Sequence, residues 1–274
     1  MIQDIYPHTF NNAFIITEAK PDDTVLVFSD DMLLNDYDLE NRTIRYPAYK
    51  ELINEAKLIY AFSVDNKRYF IDLNDNNAHN YSFTPVREFR SLSLEENISL
   101  FIVYSAYHLW RWCKDNTYCG RCGKTMIPAE KERALRCPAC DNTVYPRINP
   151  AVIIGVTNND KIILTRYKKG FNQNALVAGF TEFGETLEET VQREVMEEVG
   201  LKVKNIRYYK SQPWGIAQNL LAGFLCEVDG DDTIHMDESE LKYASWVKRE
   251  DIVLQDSNYS LTNEMMKLFK DNKI

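Results

Sequence analysis

The chain has 274 residues, 45% apolar and 27% charged, the balance of a protein that packs into domains and not of a disordered or fibrous one. That length leaves room for two compact domains with a small module between them. A formal charge of −9 and a pI near 5.1 give a field that repels phosphate polyanions, so long nucleic-acid tracts are not the expected partner, whereas a local basic pocket for one phosphate is still compatible.

The opening residues, MIQDIYPHTFNNAF, lack the basic start, apolar stretch and small-residue cleavage site of a secretory signal. No apolar run approaches the roughly 20 residues of a membrane helix. Both observations predict a cytoplasmic protein without a membrane partner. Up to about residue 92, short apolar stretches separated by polar turns (TVLVF at 24–28, LIYAFSV at 58–64, RYFIDL at 68–73) predict a strand-rich accessory domain. Residues 94–114, acidic at the front and basic at the back with bulky apolar residues throughout, predict a packed helix.

Two C-x-x-C pairs follow, Cys119 with Cys122 and Cys137 with Cys140. In a reducing compartment six cysteines do not read as a disulfide framework. Each short turn presents two thiolates to one point, and two such knuckles complete a closed tetrahedral S4 shell suited to a structural Zn2+. Cys113 and Cys226 fall outside the pairs and read as packed thiols. The domain boundaries expected are an N-terminal accessory domain at 1–113, a zinc ribbon at 114–146 and a third domain at 147–274.

In that third domain, AVIIGVT at 151–157 and KIILTRY at 161–167 predict a hairpin turning at Asn158-Asn159-Asp160. An acidic helix over 184–199, a strand at LLAGFLCEV, a segment ending ASWVK and a helix over 261–270 complete the series. Strands and helices alternate without a regular βαβ period, which predicts an α+β fold with a mixed sheet flanked by helices.

The acidic helix carries the chemistry. Glu194, Glu197 and Glu198 are spaced three and four apart, so their carboxylates project from one face. Two like charges about 5 Å apart repel by on the order of 3 kcal/mol at an effective dielectric of 20. A divalent cation reverses that sign, and hard oxygen ligands are what Mg2+ and Mn2+ prefer. Gly179 and Gly184 permit a tight loop before the helix, and Gly200 can end it with a left-handed residue. The same residues also fit a solvated acidic face in which Glu189 and Arg193 pair at i,i+4.

The segment resembles the Nudix box, G-x5-E-x7-R-E-U-x-E-E-x-G-U, at every specified position: Gly179, Glu185, Arg193, Glu194, Val195, Glu197, Glu198, Gly200 and Leu201. The resemblance implies an α/β/α sandwich in which Glu194 and Glu198 bind catalytic Mg2+ or Mn2+, and Glu197 is a further ligand or the base that activates water. The four-cysteine ribbon upstream, Tyr145-Pro146-Arg147 leaving it, and Ser211-Gln212-Pro213-Trp214 after the box are together similar to the NADH pyrophosphatase (NAD diphosphatase) family over about residues 100 to 274.

Carried over by position, that resemblance adds the Ala178 carbonyl and the Glu240 carboxylate to the metal site, with Glu238 as a substitute. It assigns substrate contacts to Glu132, Tyr145, Phe180, the stretch Gln212, Pro213, Trp214, Gly215, Ile216, Ala217, Gln218 and Asn219, and Thr262. It also implies a homodimer whose active sites borrow residues across the interface. The implied reaction is metal-dependent hydrolysis of the pyrophosphate bond of NAD(H), giving NMN(H) and AMP. Alternative substrates are the NAD cap of RNA, ADP-ribose or another dinucleotide. A non-catalytic zinc-ribbon binding module would be expected to lack a box glutamate, and none is missing. In one place the chain departs from the family: where the family's stretch reads S-Q-P-W-P-F-P-x-S, this sequence has Gly215-Ile216-Ala217 for Pro-Phe-Pro and Asn219 for the final Ser. An aromatic face and two rigid prolines are thereby lost from the segment that selects the substrate.

Overall fold

The structure, a computed structural model, describes all residues except 93–96, 169–172 and 257–258. The chain divides into two compact units, one of residues 2–147 with 215–218, the other of Met1, 148–214 and 219–274.

In the first unit, seven strands form one sheet: β1 (Phe10–Asn11), β2 (Thr24–Ser29), β3 (Met32–Asp38), β4 (Thr43–Arg45), β5 (Leu58–Val64), β6 (Lys67–Asp72) and β7 (Ser82–Pro85). Their order is β1-β5-β6-β2-β3-β4, with β7 paired to β3. The three stretches singled out in the sequence are β2, β5 and β6. Val25 to Phe28 read as an unbroken apolar run because β2 lies between β6 and β3 and is buried along its length. Helix α1 (Asn97–Asp115) contacts β2 and β6, and Phe28 meets the rings of Tyr107 and Trp110 at centroid distances of 5.8 and 5.3 Å. The start expected for this helix, at Leu94, lies outside the described residues.

The ribbon follows as three two-residue strands, β8 (Ile127–Pro128), β9 (Leu135–Arg136) and β10 (Thr143–Val144), with β9 in the middle. A segment remote in sequence joins this unit. Gly215–Ala217 make a single 3-10 turn against α1, where a Cβ on Gly215 would lie 2.1 Å from the Tyr104 carbonyl oxygen.

The second unit holds β11 (Asn149–Asn158), β12 (Lys161–Tyr167), β13 (Val177–Phe180), α2 (Leu187–Val199), β14 (Val203–Trp214), β15 (Asn219–Val228), β16 (Leu241–Lys248) and α3 (Leu261–Lys270). The sheet runs β14-β15-β11-β12-β16, with β13 paired to β11. It is mixed as expected: β11 and β15 are parallel and every other pair antiparallel. The β11–β12 hairpin turns at Asn158-Asn159-Asp160, with Asn159 left-handed at φ 54°.

Alternation along β11 builds the sandwich. Val152, Ile154 and Val156 face Val191, Val195 and Val199 of α2, while Ile153 faces Leu261, Met265 and Phe269 of α3. Each buried valine on α2 contributes on the order of 2 kcal/mol of apolar burial, and this packing fixes the helix that bears the carboxylates. The 12-residue strand β14 has no counterpart among the sequence expectations. Its apolar residues are sparse because it forms the edge of the sheet.

Candidate active site

The two cysteine knuckles are built alike. Cys119 N–H donates to Lys124 O and Gly123 N–H to Cys119 O; Cys137 N–H donates to Asn142 O and Asp141 N–H to Cys137 O. The residue four beyond each leading cysteine, Gly123 or Asp141, is left-handed, at φ 73° and 56°. The Sγ atoms of Cys119 and Cys140 are 3.7 Å apart and those of Cys122 and Cys137 3.4 Å, with all four within 4.8 Å of one another. A tetrahedron with Zn–S bonds of about 2.3 Å has edges of about 3.8 Å, so the donor set fits Zn2+. The Arg121 backbone N–H holds the Cys119 thiol down at about 6, toward the thiolate that binds metal. Cys113 and Cys226 are buried, and burial pushes both thiols up to about 12, as inert packed cysteines require. On the same ribbon the exposed Tyr145 hydroxyl donates to Glu132 Oε1 at 3.0 Å.

Helix α2 begins three residues later than expected, because Thr186 caps it. Its side chain accepts from Glu189 N–H, and Glu189 Oε2 accepts from Thr186 N–H at 2.7 Å. Gly184, at φ 88°, belongs to the preceding turn, and Gly200 ends the helix left-handed at φ 71°. Glu189 is thus committed to the cap and does not pair with Arg193. The Arg193 guanidinium instead donates to Glu185 at 2.6 and 3.0 Å, Glu194 at 2.7 Å, Glu197 at 2.9 Å and the Phe180 carbonyl at 2.8 Å. One cation of the protein therefore already offsets part of the repulsion among the helix carboxylates. Its hydrogen bond holds the Glu185 carboxyl down at about 2.

Gly179 corrects the sequence reading in a second respect: it lies in β13, not in a loop. A Cβ there would fall 1.9 Å from the Glu194 carboxyl carbon and 2.1 and 2.2 Å from its oxygens, so the missing side chain makes room for that carboxylate. Thr181 N–H donates to Pro150 O, a register that leaves the Ala178 N–H and carbonyl turned away from β11. The Ala178 amide serves Glu198. Glu198 is buried, and its two oxygens lie 3.0 and 3.2 Å from the Tyr167 hydroxyl, which is also 3.4 Å from the Ala178 carbonyl. Burial pushes the Glu198 carboxyl up to about 8 and the Glu194 carboxyl upward as well.

Glu194 borders a cleft of about 490 Å³ lined also by Ala151 to Ile153, Ala178, Gly179, Phe180, Glu182, Arg193, Glu197, Asn219, Leu221 and Glu240; the buried Glu198 and Tyr167 are not among its lining residues. Its lining carboxylates, Glu182, Glu194, Glu197 and Glu240, are the hard oxygens that suit Mg2+ or Mn2+. Among the described residues no three of its carboxylates converge within 4.8 Å as the cysteines do. Glu240 borders the cleft while Glu238 does not; the Glu238 carbonyl accepts from Lys168 Nζ. Phe180 is exposed at the rim. Asn219 is buried in the lining, and its Oδ1 has no hydrogen-bond partner among the described residues.

The rest of the expected substrate stretch is not gathered there. Gln212 is fully buried and clamps the start of α3, accepting from Leu261 N–H at 2.8 Å and donating to Tyr259 O at 2.7 Å. Trp214 stacks on Tyr259 at 6.3 Å, Pro213 is exposed, and Thr262 lies in the first turn of α3 behind its cap Ser260. Gly215, Ile216, Ala217 and Gln218 belong to the other unit, where Gln218 Oε1 accepts from Arg147 Nε at 2.9 Å. A side chain at 215 would meet the Tyr104 carbonyl, so this turn requires glycine. Tyr167 and the carboxylate-gathering role of Arg193 were missed by sequence reasoning, since Tyr167 carries no motif and meets Glu198 only across the fold.

Residues 147–269, which hold the sandwich and the box-bearing helix, match the NUDIX domain family. In front of it, residues 114–145 match the NADH pyrophosphatase zinc ribbon domain. The NAD-capped RNA hydrolase NudC of Escherichia coli (strain K12 / DH10B) is 43% identical over 144 residues, 52% of this chain and 55% of that protein, and NudC of Shigella boydii serotype 18 matches to the same extent. The chain thus spans about half the length of the curated relatives it matches. A crystal structure of a NUDIX hydrolase from Nitrosomonas europaea is similar over 57% of this chain and 92% of its own, with a TM-score of 0.50 at 20% identity, a likeness of fold. No described helix is long and apolar enough to cross a membrane.

Proposed function

We propose that the protein hydrolyses the pyrophosphate bond of NAD(H), giving NMN(H) and AMP, with Mg2+ or Mn2+ in the cleft and Zn2+ in the ribbon. The observation that carries this reading is the pair of Nudix-box carboxylates, Glu194 and Glu197, lining one cleft with Glu240 and the exposed Phe180 ring. Glu194, Glu198, Glu240 and the Ala178 carbonyl would hold the divalent ions, which supply positive charge to the diphosphate oxygens and make water more acidic. Glu197 is more exposed than Glu194 and Glu198 and takes the proton of the attacking water. Arg193 holds Glu194 and Glu197 in place, and Phe180 offers a face for a base or nicotinamide ring. No covalent nucleophile is needed.

In this reading Asn219 adds a substrate contact from the cleft lining, Gln212 holds the start of α3 and not the substrate, and the protein acts as a homodimer in the cytoplasm. A second substrate, RNA carrying a 5′ NAD cap, is favoured by the relatives, which are NAD-capped RNA hydrolases. Purified protein given Mg2+ or Mn2+ and NADH, NAD, ADP-ribose, FAD or NAD-capped RNA, with products resolved by mass, separates these substrates. NMN(H) and AMP from NADH are expected; no cleavage of any of the five would remove the proposal.

A further inference from the structure

The proposed metal site contains a hydroxyl that no motif accounts for. Tyr167 is the last residue of β12, on the face that carries Ile163 toward α2, and it packs against that core. Opposite it, the register skips Lys242 so that Arg166 pairs with Tyr243 but Tyr167 with Leu241, and Lys168 N–H then donates to Glu240 O at 2.9 Å. This bulge sets the end of β12 beside the strand that brings in Glu240. Bulges next to active sites commonly re-aim side chains in this way.

The Tyr167 hydroxyl has one proton and three oxygens within reach: Glu198 Oε1 at 3.0 Å, Glu198 Oε2 at 3.2 Å and the Ala178 carbonyl at 3.4 Å. None of the three is a donor when Glu198 is ionised, so the hydroxyl must donate, and it can satisfy one of them at a time. The Arg193 guanidinium serves Glu185, Glu194 and Glu197, and Glu198 stands outside that set. Its orientation therefore depends on the Ala178 N–H and on Tyr167. Both groups that the hydroxyl touches are proposed metal donors from different elements, one on α2 and one on β13.

We infer that Tyr167 is a positioning residue of the divalent-metal site, its hydroxyl donating to the Glu198 carboxylate and so fixing it beside the Ala178 carbonyl. The inference rests on the reading of this cleft as a metal site. Partners that orient metal ligands typically contribute ten- to a hundredfold to metal affinity or activity. Removing the hydroxyl should weaken Mn2+ binding about tenfold while the ring continues to fill the core.

The test is Mn2+ titration of substrate-free, zinc-loaded full-length protein, followed by the electron paramagnetic resonance signal of free Mn2+, for wild type, Y167F, E198Q and the double variant. Y167F should bind Mn2+ about tenfold more weakly than wild type, with unchanged zinc content and an unchanged melting temperature in the absence of Mn2+. In activity, the Mn2+ concentration for half-maximal rate should rise by a similar factor while kcat at saturating Mn2+ stays within about threefold, a split that loss of folded protein would not produce. Y167F should add nothing in the E198Q background. Should Y167F fail to fold, Tyr167→Met fills a similar volume without a hydroxyl and takes its place. Wild-type affinity in the hydroxyl-free variant, with binding lost in E198Q, overturns the role of Tyr167 and leaves the metal site standing. Equal Mn2+ binding by wild type and E198Q, or none by either, overturns the metal-site reading itself.

Discussion

Replacing Gly179 by alanine separates what the cleft needs from what the fold needs. The new Cβ would stand 1.9 to 2.2 Å from the Glu194 carboxyl group, and ordinary contact begins at 3.4 Å, so the carboxylate must retreat by more than about 1 Å. What it meets is the far end of a side chain facing a cleft, and β13 itself can accept alanine, so the cost in stability should stay within about 1 kcal/mol. The cost in chemistry should be much larger. Glu194 would lose its 2.7 Å bond to Arg193 and its place beside Ala178, and a displacement of about 1 Å at a catalytic centre commonly costs about a hundredfold in rate. Thermal unfolding and single-turnover hydrolysis of NADH in Mn2+ measure the two effects on one preparation. Wild-type turnover in G179A, or a variant that does not fold, would refute the argument that Gly179 exists to admit Glu194.

Gly215→Ala should behave in the opposite manner, because its Cβ would meet backbone, 2.1 Å from the Tyr104 carbonyl oxygen; a loss of about 1 to 3 kcal/mol in urea unfolding is expected. Glu197→Gln should keep the melting temperature and lower kcat by about a hundredfold or more, with Mn2+ affinity less affected than in E198Q; a near-wild-type rate would remove Glu197 as the base. Arg193→Met leaves Glu185, Glu194 and Glu197 without their shared cation, so its melting temperature should fall in metal-free buffer and recover in part on adding Mn2+, read by differential scanning calorimetry. Stripping zinc with a thiol-competent chelator should melt the ribbon at 114–145 and expose its amides to hydrogen exchange, while the β11–β12 hairpin stays protected.

Features that depend on residues close together in the chain are legible in the amino-acid sequence. Thr186 and Glu189 cap α2 across one turn, Gly200 closes it, and the valines at 191, 195 and 199 mark the face it buries. The paired C-x-x-C knuckles are likewise local, since each turn orients its own thiols. The unbroken apolar run at 151–156 likewise belongs to a strand buried on both faces.

Tertiary structure alone decided which of these residues meet. Arg193 reaches back past the capping box to Glu185 instead of pairing with Glu189, because Glu189 is already held by the Thr186 amide. Gly179 is required by a carboxylate 15 positions away, and Gln212, which the family resemblance places among substrate contacts, is buried against the start of α3, 49 residues on. Tyr167 meets Glu198 across 31 residues. Periodicity and capping follow from backbone geometry within a turn or two, so they are written in the chain. Contacts between a strand end and a distant helix depend on register, bulges and packing of the whole sheet, and no local pattern encodes them.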